Sequence, residues 1–284
     1  ASTDVDRTDT DEPDAPGRTR REYCYNILVS GLDDDNGGSD TNILVRFDVP
    51  NKRIDLVSLP RDTLLHNEYR NNKLNFAYAK GGTELLMEQI ENLRGIPVDF
   101  YVTVNLKGFI ALVDQIDGVD FDIPINMDYD DPYQDLHIHF TKGPRHLNGQ
   151  EAMEVVRFRH NNDGTGYGTE DIGRIGTQQA FLKAVAKQLL QIGNVKNIPA
   201  LVDIFYTYVK TDLTTGNLVW LGNEALNIGT ENIRFATLPG DGSGYYNKQS
   251  VYVLDAQATC DLVNEALNPY NEALTLEDMD ILVP

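Results

Sequence analysis

The sequence has little positive charge, and it lacks any long hydrophobic run. Its 24 Lys and Arg residues stand against 44 Asp and Glu residues, which gives a formal net charge of −20 over 284 residues. A surface this acidic repels nucleic acid at long range, so a DNA-binding role is disfavoured. No run of about 18 apolar residues occurs, so no segment of this chain is expected to span a membrane. The hydrophobic content of 41% still suffices for a globular core.

Cysteine is also scarce, since only Cys24 and Cys260 are present, far apart in the sequence. They form either a disulfide, if the compartment is oxidising, or two buried thiols. The chain has no Gly-x-Ser-x-Gly elbow, no Walker phosphate loop and no dinucleotide fingerprint. Among the histidines, His137 and His139 come nearest to a zinc motif. Such a pair more often decorates one face of a strand than binds a metal.

What the sequence does contain is an alternation of short apolar runs with amphipathic segments. The strand candidates are rich in Ile, Leu and Val, and they are residues 25–30, 42–47, 54–59, 100–105, 119–123 and 233–238. The helix candidates are residues 83–93, 108–116, 149–156, 178–192, 198–209, 215–228 and 252–267. Residues 124–148 are expected to be irregular. This order predicts a three-layer α/β/α sandwich with a mixed central sheet.

The first residues differ from the rest in composition. Residues 1–22 have no apolar pattern, and we interpret them as a disordered linker or an expression remnant. No linker is visible within residues 23–284, which we therefore expect to form one domain.

Carboxylates and an arginine follow two of the strand candidates. Asp33 and Asp40 come after the first strand, and Arg61 and Asp62 come after the third. Ligands of open α/β sheets bind beyond the carboxyl ends of strands. A turn can fold Asp33 and Asp40 onto one Mg²⁺, which takes one or two carboxylates and adds phosphate oxygens from a substrate. The alternative is a solvated acidic loop.

Further basic groups lie in the middle of the chain. Arg157 and Arg159 are two residues apart, so an extended segment would point both guanidinium groups to one face, where they match phosphate. The alternative is two surface ion pairs with the many carboxylates. Arg174 and Gln178 are one turn apart after Asp171, at a helix start that favours anions. The alternative there is an ordinary helix cap.

Taken together, these segments resemble the LytR-CpsA-Psr family. The segments that carry the resemblance occur in the family's order: NILVSGLD, SDTNILV, SLPRD, KLNFAYAKGG, FYVTVNLKGFIALVDQIDGVDFDIP, GPRHLNGQEAMEVVRFR and DIGRIGTQQ. They cover residues 23–192. The resemblance implies that residues 23–284 form the family's catalytic domain, an α/β/α sandwich whose core opens into an apolar pocket for a polyprenyl chain.

The resemblance also implies a function. Family members are phosphotransferases that move a glycopolymer, such as teichoic acid or capsule polysaccharide, from a polyprenyl-pyrophosphate carrier to peptidoglycan in cell-wall assembly. Mg²⁺ is the implied cofactor, and nucleic acid is not an implied partner. The implied location is the extracellular face of the cytoplasmic membrane in a Gram-positive-type envelope, with anchoring through an N-terminal helix absent from this chain.

The family's functional residues map onto this sequence by position. Asp33 and Asp40 match the magnesium-binding aspartates. The matching pyrophosphate-binding residues are Arg61, Lys73, Arg157, Arg159, Arg174 and Gln178, with Asp62 and Asp171 in support. Within this set the implied catalytic residues are Asp33, Asp40, Arg61 and Arg159.

Two positions depart from the family pattern. Many members have an arginine where this chain has Gly38, and another where it has Thr177. A hydrogen bond to a charged group contributes about 1.5–3 kcal/mol, so the loss of two such groups weakens the hold on a pyrophosphate. The alternative function is therefore a polyprenyl-(pyro)phosphate-binding protein, or a pyrophosphatase, with little transferase activity.

Overall fold

The computed structural model describes residues 17–32, 37–133, 135–167, 170–191 and 205–284. These residues belong to two compact units. The first unit contains the residues up to Val104 together with Lys210–Pro284, and the second contains Asn105–Val209. The assignment of residues 1–22 to a linker and of residues 23–284 to one domain stays a prediction.

Strands and helices both occur throughout the described chain, but consecutive strands interrupt the predicted alternation at three places. The strands are β1 (Cys24–Leu32), β2 (Ser39–Asp48), β3 (Arg53–Leu59), β4 (Phe100–Val104), β5 (Val119–Ile123), β6 (Met127–Asp131), β7 (Leu136–Phe140), β8 (Gly143–Leu147), β9 (Val209–Thr211), β10 (Ile233–Thr237), β11 (Gly240–Tyr246) and β12 (Gln249–Leu254). The helices are α1 (Leu74–Arg94), α2 (Leu106–Gln115), α3 (Gly149–Arg157), α4 (Glu170–Gln191), α5 (Thr215–Ile228) and α6 (Ala256–Ala266).

A mixed sheet forms the centre of the first unit. Within the described residues its order is β10-β3-β2-β1-β4-β9. Strand β2 runs antiparallel to both β1 and β3, which makes two successive hairpins. Strand β4 is parallel to β1, and β10 is parallel to β3. The predicted α/β class with a mixed central sheet is confirmed.

Helices cover both faces of this sheet. Leu28, Leu44 and Val57 lie opposite one another on β1, β2 and β3, and all three are fully buried in the core with apolar residues of α1 and α6. Tyr25 points to the other face, where its ring meets Trp220 of α5 edge-on at a centroid distance of 6.0 Å. Strands covered on both faces have no solvent side, which explains their continuous apolar runs.

The second unit has its own core. Strand β5 pairs with β8, and β6 pairs with β7, both antiparallel. Phe121, Ile138, Phe158 and Phe181 are among the buried side chains that join these strands to α3 and α4. Helix α3 begins with a capping box, because the Asn148 side chain accepts from the Glu151 N–H and the Glu151 carboxylate accepts from the Asn148 N–H.

Several predicted elements differ from the structure. The expectation that residues 124–148 are irregular is wrong, because they contain β6, β7 and β8. Helix α1 begins at Leu74 rather than at residue 83, and Gly81 and Gly82 interrupt it with non-helical backbone angles. The predicted helix 252–267 begins too early, because β12 extends to Leu254. Most of the predicted helix 198–209 lies outside the described residues.

The first described residues form ion pairs within the first unit. Arg18 lies 2.6 Å from Asp278, Arg21 lies 2.9 Å from Asp48, and Arg20 pairs with Asp99. In the described part of the chain, no helix is long and apolar enough to cross a membrane.

The two cysteines are buried free thiols, which is one of the two alternatives left open by the sequence. Burial raises the pKa of Cys24 to about 11.

Candidate functional site

The polar end of β3 and the start of β2 meet at one edge of the central sheet. Asn42 lies opposite Leu59 in the antiparallel pair, so Asp40 precedes the paired segment at the point where the chain leaves β3. Strand β1 ends at the same edge, with Leu32 opposite Ser39. Asp40 and the pair Arg61 and Asp62 therefore lie side by side at this edge. The strand pattern of the sequence predicts this arrangement.

Four side chains form a row of alternating charge at this edge. Nη1 of Arg61 lies 2.5 Å from Oδ1 of Asp40, and Nε of Arg61 lies 3.6 Å from Oδ1 of Asp62. The Lys73 ammonium lies 3.2 Å from the same Asp62 oxygen. These side chains are between 20% and 28% exposed, so solvent or a ligand reaches all four. The structure thus brings together Asp40, Arg61, Asp62 and Lys73.

Main-chain hydrogen bonds fix where Arg61 and Lys73 lie. After β3 the chain turns at Pro60, whose carbonyl accepts hydrogen bonds from the N–H of Thr63 at 3.0 Å and from its hydroxyl at 2.6 Å. The Arg61 carbonyl then accepts from the Asn75 N–H at 2.9 Å, in the first turn of α1. Because Lys73 is the residue that caps α1, this bond holds its side chain beside the Arg61 segment.

Buried polar groups support the same edge from beneath. Ser30 on β1 donates to the side-chain oxygen of Asn42 at 3.2 Å, and the Asn42 amide donates to the Ser39 carbonyl at 3.3 Å. All three residues are buried. Hydrogen bonds between buried groups hold a strand end rigidly, and Asp40 follows directly on Ser39.

Two arginines of the second unit flank the end of α3. Arg157 is the last residue of α3, and Arg159 is exposed two residues later. Phe158 between them has extended backbone angles and is 1% exposed, with its ring buried in the core. Arg157 is still helical, so the condition that the whole segment is extended is not met. A shared face for the two guanidinium groups stays a prediction.

Arg174 and Gln178 occupy successive turns of α4 in the same unit. Arg174 is buried, with 4% of its surface exposed. The Gln178 amide donates to the carbonyl of Val156 at 3.2 Å, in the last turn of α3, where carbonyls lack helical partners. Gln178 therefore joins α4 to the end of α3.

Sequence reasoning missed Tyr167, which organises the start of α4. Its hydroxyl accepts a 2.7 Å hydrogen bond from Thr177, and its ring meets Phe158 edge-on at 5.6 Å. Burial raises the pKa of Tyr167, and the hydrogen bond from Thr177 opposes that rise. A Cβ at Gly173 would lie 2.2 Å from Cβ of Tyr167, so only glycine accepts the tyrosine at this distance. An aromatic residue within a glycine-rich loop was the available signal.

The two positions that lack the family's arginines are both packed. Gly38 is buried, and a Cβ atom there would lie 3.3 Å from the carbonyl oxygen of Asn75. Thr177 is 5% exposed and bonded to Tyr167. A large side chain at either position would have to displace its neighbours.

Two of the predicted site residues are not described. Asp33 lies outside the described residues, and so does the side chain of Asp171 at the start of α4. Their roles as a metal ligand and as a supporting carboxylate stay predictions. The structure describes the positions of the other predicted site residues, but their functional roles also stay predictions.

Comparison with known proteins gives consistent matches. The LytR_cpsA_psr family model matches residues 2–268. The chain is 32% identical over 248 residues to "Polyisoprenyl-teichoic acid--peptidoglycan teichoic acid transferase TagV" of Bacillus subtilis, which covers 83% of this chain and 61% of that protein. It is 32% identical over 244 residues to the transferase TagU of Bacillus cereus, covering 84% of this chain and 76% of that protein. The chain thus spans less than two thirds of the Bacillus subtilis relative.

Solved structures share the fold. The crystal structure of Bacillus subtilis TagV has a TM-score of 0.74 at 27% identity, and the match covers 93% of this chain and all of that one. A LytR-Csp2A-Psr enzyme from Actinomyces oris has a TM-score of 0.71 at 21% identity, over 88% of this chain and 92% of that one.

Proposed function

This chain belongs to the LytR_cpsA_psr family, and we propose that it transfers a cell-wall glycopolymer from a polyprenyl-pyrophosphate carrier to peptidoglycan. The reaction would take place on the extracellular face of the cytoplasmic membrane in a Gram-positive-type envelope. The similarity to two proteins named as teichoic acid transferases supports this proposal.

The observation that carries the proposal is the pairing of Arg61 with Asp40 at the strand edge. Both side chains are partly exposed, and ion pairs of this kind contribute about 0.2–1 kcal/mol. A hydrogen bond between a guanidinium and a phosphate oxygen contributes about 1.5–3 kcal/mol. A pyrophosphate carries more negative charge than one carboxylate, so it would compete with Asp40 for Arg61.

The same carboxylate fits the predicted Mg²⁺. Asp40 offers hard oxygen ligands and is 28% exposed, which leaves room for the water molecules that Mg²⁺ retains. Asp40 would hold the ion together with Asp33. The bound ion would supply positive charge next to the pyrophosphate.

The side chains of this chain would position the reacting groups for the transfer step. A hydroxyl of the peptidoglycan sugar attacks the glycopolymer-linked phosphorus, the pyrophosphate P–O bond breaks, and polyprenyl phosphate leaves. The products are a phosphodiester and the lipid monophosphate, and the hydroxyl proton passes to a carboxylate, for which Asp40 is the described candidate. Arg61 and Lys73 would neutralise the phosphates, since such reactions depend mainly on positioning and charge.

Arg157 and Arg159 belong to the second unit, and they stay its proposed phosphate-binding arginines. A guanidinium binds phosphate through a planar fork of donors. Gln178 would add a neutral donor through its second amide hydrogen. Arg174 is largely buried. Its charge would attract a phosphate more strongly than the charge of an exposed arginine, because water screens it less.

The polyprenyl chain requires an apolar surface, and α1 offers one. Leu86, Ile90 and Leu93 are buried in the core, as is usual for the apolar face of a helix. Leu85 and Met87 on the same helix are only partly buried against that core. We propose that lipid is accommodated along these partly buried side chains of α1.

The test is release of polyprenyl phosphate from a short-chain polyprenyl pyrophosphate by the purified protein, with Mg²⁺ and with EDTA. Metal-dependent release shows that the site cleaves a pyrophosphate, and formation of the phosphodiester product from a glycopolymer-linked donor and peptidoglycan fragments supports the proposal. Absence of both release and lipid binding would refute it.

A second candidate is a lipid-phosphate-binding protein, or a pyrophosphatase, with little transferase activity. The specific observation in its favour is the packing of Gly38 and Thr177, since neither position projects a charged group towards a phosphate. Thermal stabilisation by the lipid without release would select the binding protein. Release of inorganic phosphate without transfer to peptidoglycan would select the pyrophosphatase.

A further inference from the structure

The hairpin of β6 and β7 carries four titratable side chains on one face. Asp130 lies opposite His137 in the pairing register, and Asp128 lies opposite His139. All four are exposed, whereas the residues that alternate with them, including Ile138, point into the core of the second unit. Because strand side chains alternate between faces, this arrangement groups two imidazoles and two carboxylates in a patch about two residues wide.

Three of these side chains converge on a small volume. The Nδ1 atom of His137 lies 2.5 Å from Oδ1 of Asp130, and Nε2 of His139 lies 3.2 Å from the same oxygen. One ligand atom from each residue falls within 4.8 Å of the other two. Two ligands of a tetrahedral zinc ion with bonds near 2.1 Å are about 3.4 Å apart. Small rotations of the side chains therefore suffice to place one ion between them.

Asp128 provides a feature that metal-binding histidines share. Its Oδ1 lies 2.8 Å from Nδ1 of His139. A hydrogen bond at this nitrogen holds a proton on Nδ1, so Nε2, which contacts Asp130 in the structure, is the atom that would release its own proton and coordinate an ion. Asp128 thus orients His139 as a ligand without contacting the ion.

The backbone beneath the cluster is held in place. Asn161 accepts a hydrogen bond from the Asp128 N–H at 2.7 Å, and Asn162 accepts one from the Asp130 N–H at 2.6 Å. The Asn162 side chain also donates to the Asp130 carbonyl at 3.1 Å. These bonds satisfy the outer edge of β6, so the carboxylates start from fixed positions.

We propose that His137, His139 and Asp130 bind a divalent transition-metal ion, of which Zn²⁺ is the type case, with Asp128 orienting His139. Among the described residues this is the one group of three or more such donors within coordinating distance. Imidazole nitrogens select Zn²⁺, Cu²⁺ or Ni²⁺ over Mg²⁺, so this site is chemically distinct from the carboxylate site at Asp40. Three protein ligands leave the fourth position to water.

A matched control exists in the same unit. His146 on β8 lies 2.7 Å from Asp120 and is 55% exposed, close to the 54% of His137 and His139. It has the same histidine–carboxylate hydrogen bond but no second histidine among the described residues. If exposed histidine–aspartate pairs alone captured the metal, changing His146 would matter as much as changing the cluster.

The experiment is calorimetric titration of chelator-stripped protein with ZnCl₂ in the presence of excess Mg²⁺. One saturable Zn²⁺ per chain is expected for the wild type. The H137A/H139A double variant should lose this binding, Asp128→Asn should weaken it about tenfold, and His146→Ala should leave it unchanged. Circular dichroism confirms that each variant is folded.

Two results overturn the proposal. The first is absence of saturable Zn²⁺ binding to the wild type, which means that the cluster is only a hydrogen-bonded surface network. The second is wild-type affinity in the folded double variant, which means that the ion binds elsewhere. Loss of binding in the double variant, with shifts of the His137 and His139 ring resonances when Zn²⁺ is added to the wild type, supports it.

Discussion

Arg61 donates to Asp40 across the edge of the central sheet, with 2.5 Å between Nη1 and Oδ1. The pair joins the second residue after β3 to a residue at the start of β2, and the antiparallel register of the two strands makes them neighbours. Arg61 also lies 3.6 Å from Asp62, and Asp62 in turn contacts Lys73. The row is thus electrically balanced, and under the proposed function a pyrophosphate would have to displace carboxylates from the cations.

Removing the guanidinium of Arg61 should reduce transfer with little loss of stability. Arg61→Ala deletes one or more charged hydrogen bonds to phosphate, and at about 1.5–3 kcal/mol the rate falls roughly 10- to 150-fold. The measurement is turnover of a polyprenyl-pyrophosphate donor, with the thermal midpoint as a check on folding. Arg234→Ala, at an arginine that is 60% exposed on the same unit, is the matched control and should keep full activity. Equal activity of the two variants would contradict the site assignment.

Both the charge and the planar shape of the Arg159 guanidinium should contribute to the rate of transfer. Arg159→Ala is expected to lower kcat/KM by about 10-fold or more, and Arg159→Lys should recover only part of the loss because an ammonium cannot bind two oxygens in one plane. Steady-state kinetics on the three proteins measures this. Arg145→Ala, at a 47% exposed arginine of the same unit, is the control. Full recovery by lysine would mean that Arg159 contributes only long-range charge.

Two glycines on α4 should respond in opposite directions to the same substitution. Gly173→Ala places a methyl group 2.2 Å from Tyr167, so the tyrosine must move and the second unit is destabilised. Gly176→Ala meets nothing within 4 Å, and alanine should stabilise this helix by about 0.5–1 kcal/mol. Urea unfolding of both variants measures the difference. Similar free energies of unfolding for the two would mean that Tyr167 does not pack against α4.

The positions of Asp40 and Arg61 could be predicted from the order of the strands in the sequence. Each stands next to a strand with a clear apolar pattern, and adjacent antiparallel strands bring the end of one to the start of the next. In these places a short-range pattern determined the structure.

Other parts depended on contacts that no local pattern encodes. The strands of residues 124–148 carry Asp and His at alternate positions, and these charges hid the apolar residues between them. Helix α1 begins at Leu74 because its first N–H groups bond to the carbonyls of Thr63 and Arg61, and Gly81 and Gly82 then break the helical spacing. The hydrogen bond from Gln178 to Val156 joins residues of two different helices, which only the tertiary fold brings together.

Arg94 presents a buried charge whose removal should stabilise the protein. It is fully buried at the end of α1, and burial lowers the pKa of its guanidinium to about 9. Its Nε donates to the Ile90 carbonyl at 3.2 Å, but neither Nη atom has a hydrogen-bond partner among the described residues. The unmet donors cost about 1–3 kcal/mol, more than the 0.3–1 kcal/mol or so that a cation gains at a helix C-terminus.

Arg94→Met keeps the length of the side chain and removes the charge, so we expect a free energy of unfolding about 1–3 kcal/mol above the wild type. Arg94→Ala removes the charge but leaves a cavity, and should be the less stable of the two variants. Guanidinium unfolding at neutral pH measures both. A methionine variant less stable than the wild type would show that the guanidinium contributes net stability at this site.

The ion pair of Arg18 with Asp278 should make stability depend on pH in the acid range. The hydrogen bond from Arg18, with one from the Thr275 N–H, lowers the pKa of Asp278 from 3.8 to about 2. A carboxylate whose pKa is lower in the folded state stabilises fully above its unfolded pKa, and this contribution disappears as pH falls through the folded pKa. The wild type should therefore be more stable than Asp278→Asn at pH 6, and the difference should shrink between pH 4 and pH 2, the two pKa values that bracket the change. Urea midpoints of both proteins across this range test the prediction, and a difference that stays constant with pH would show that Asp278 acts through its shape rather than its charge.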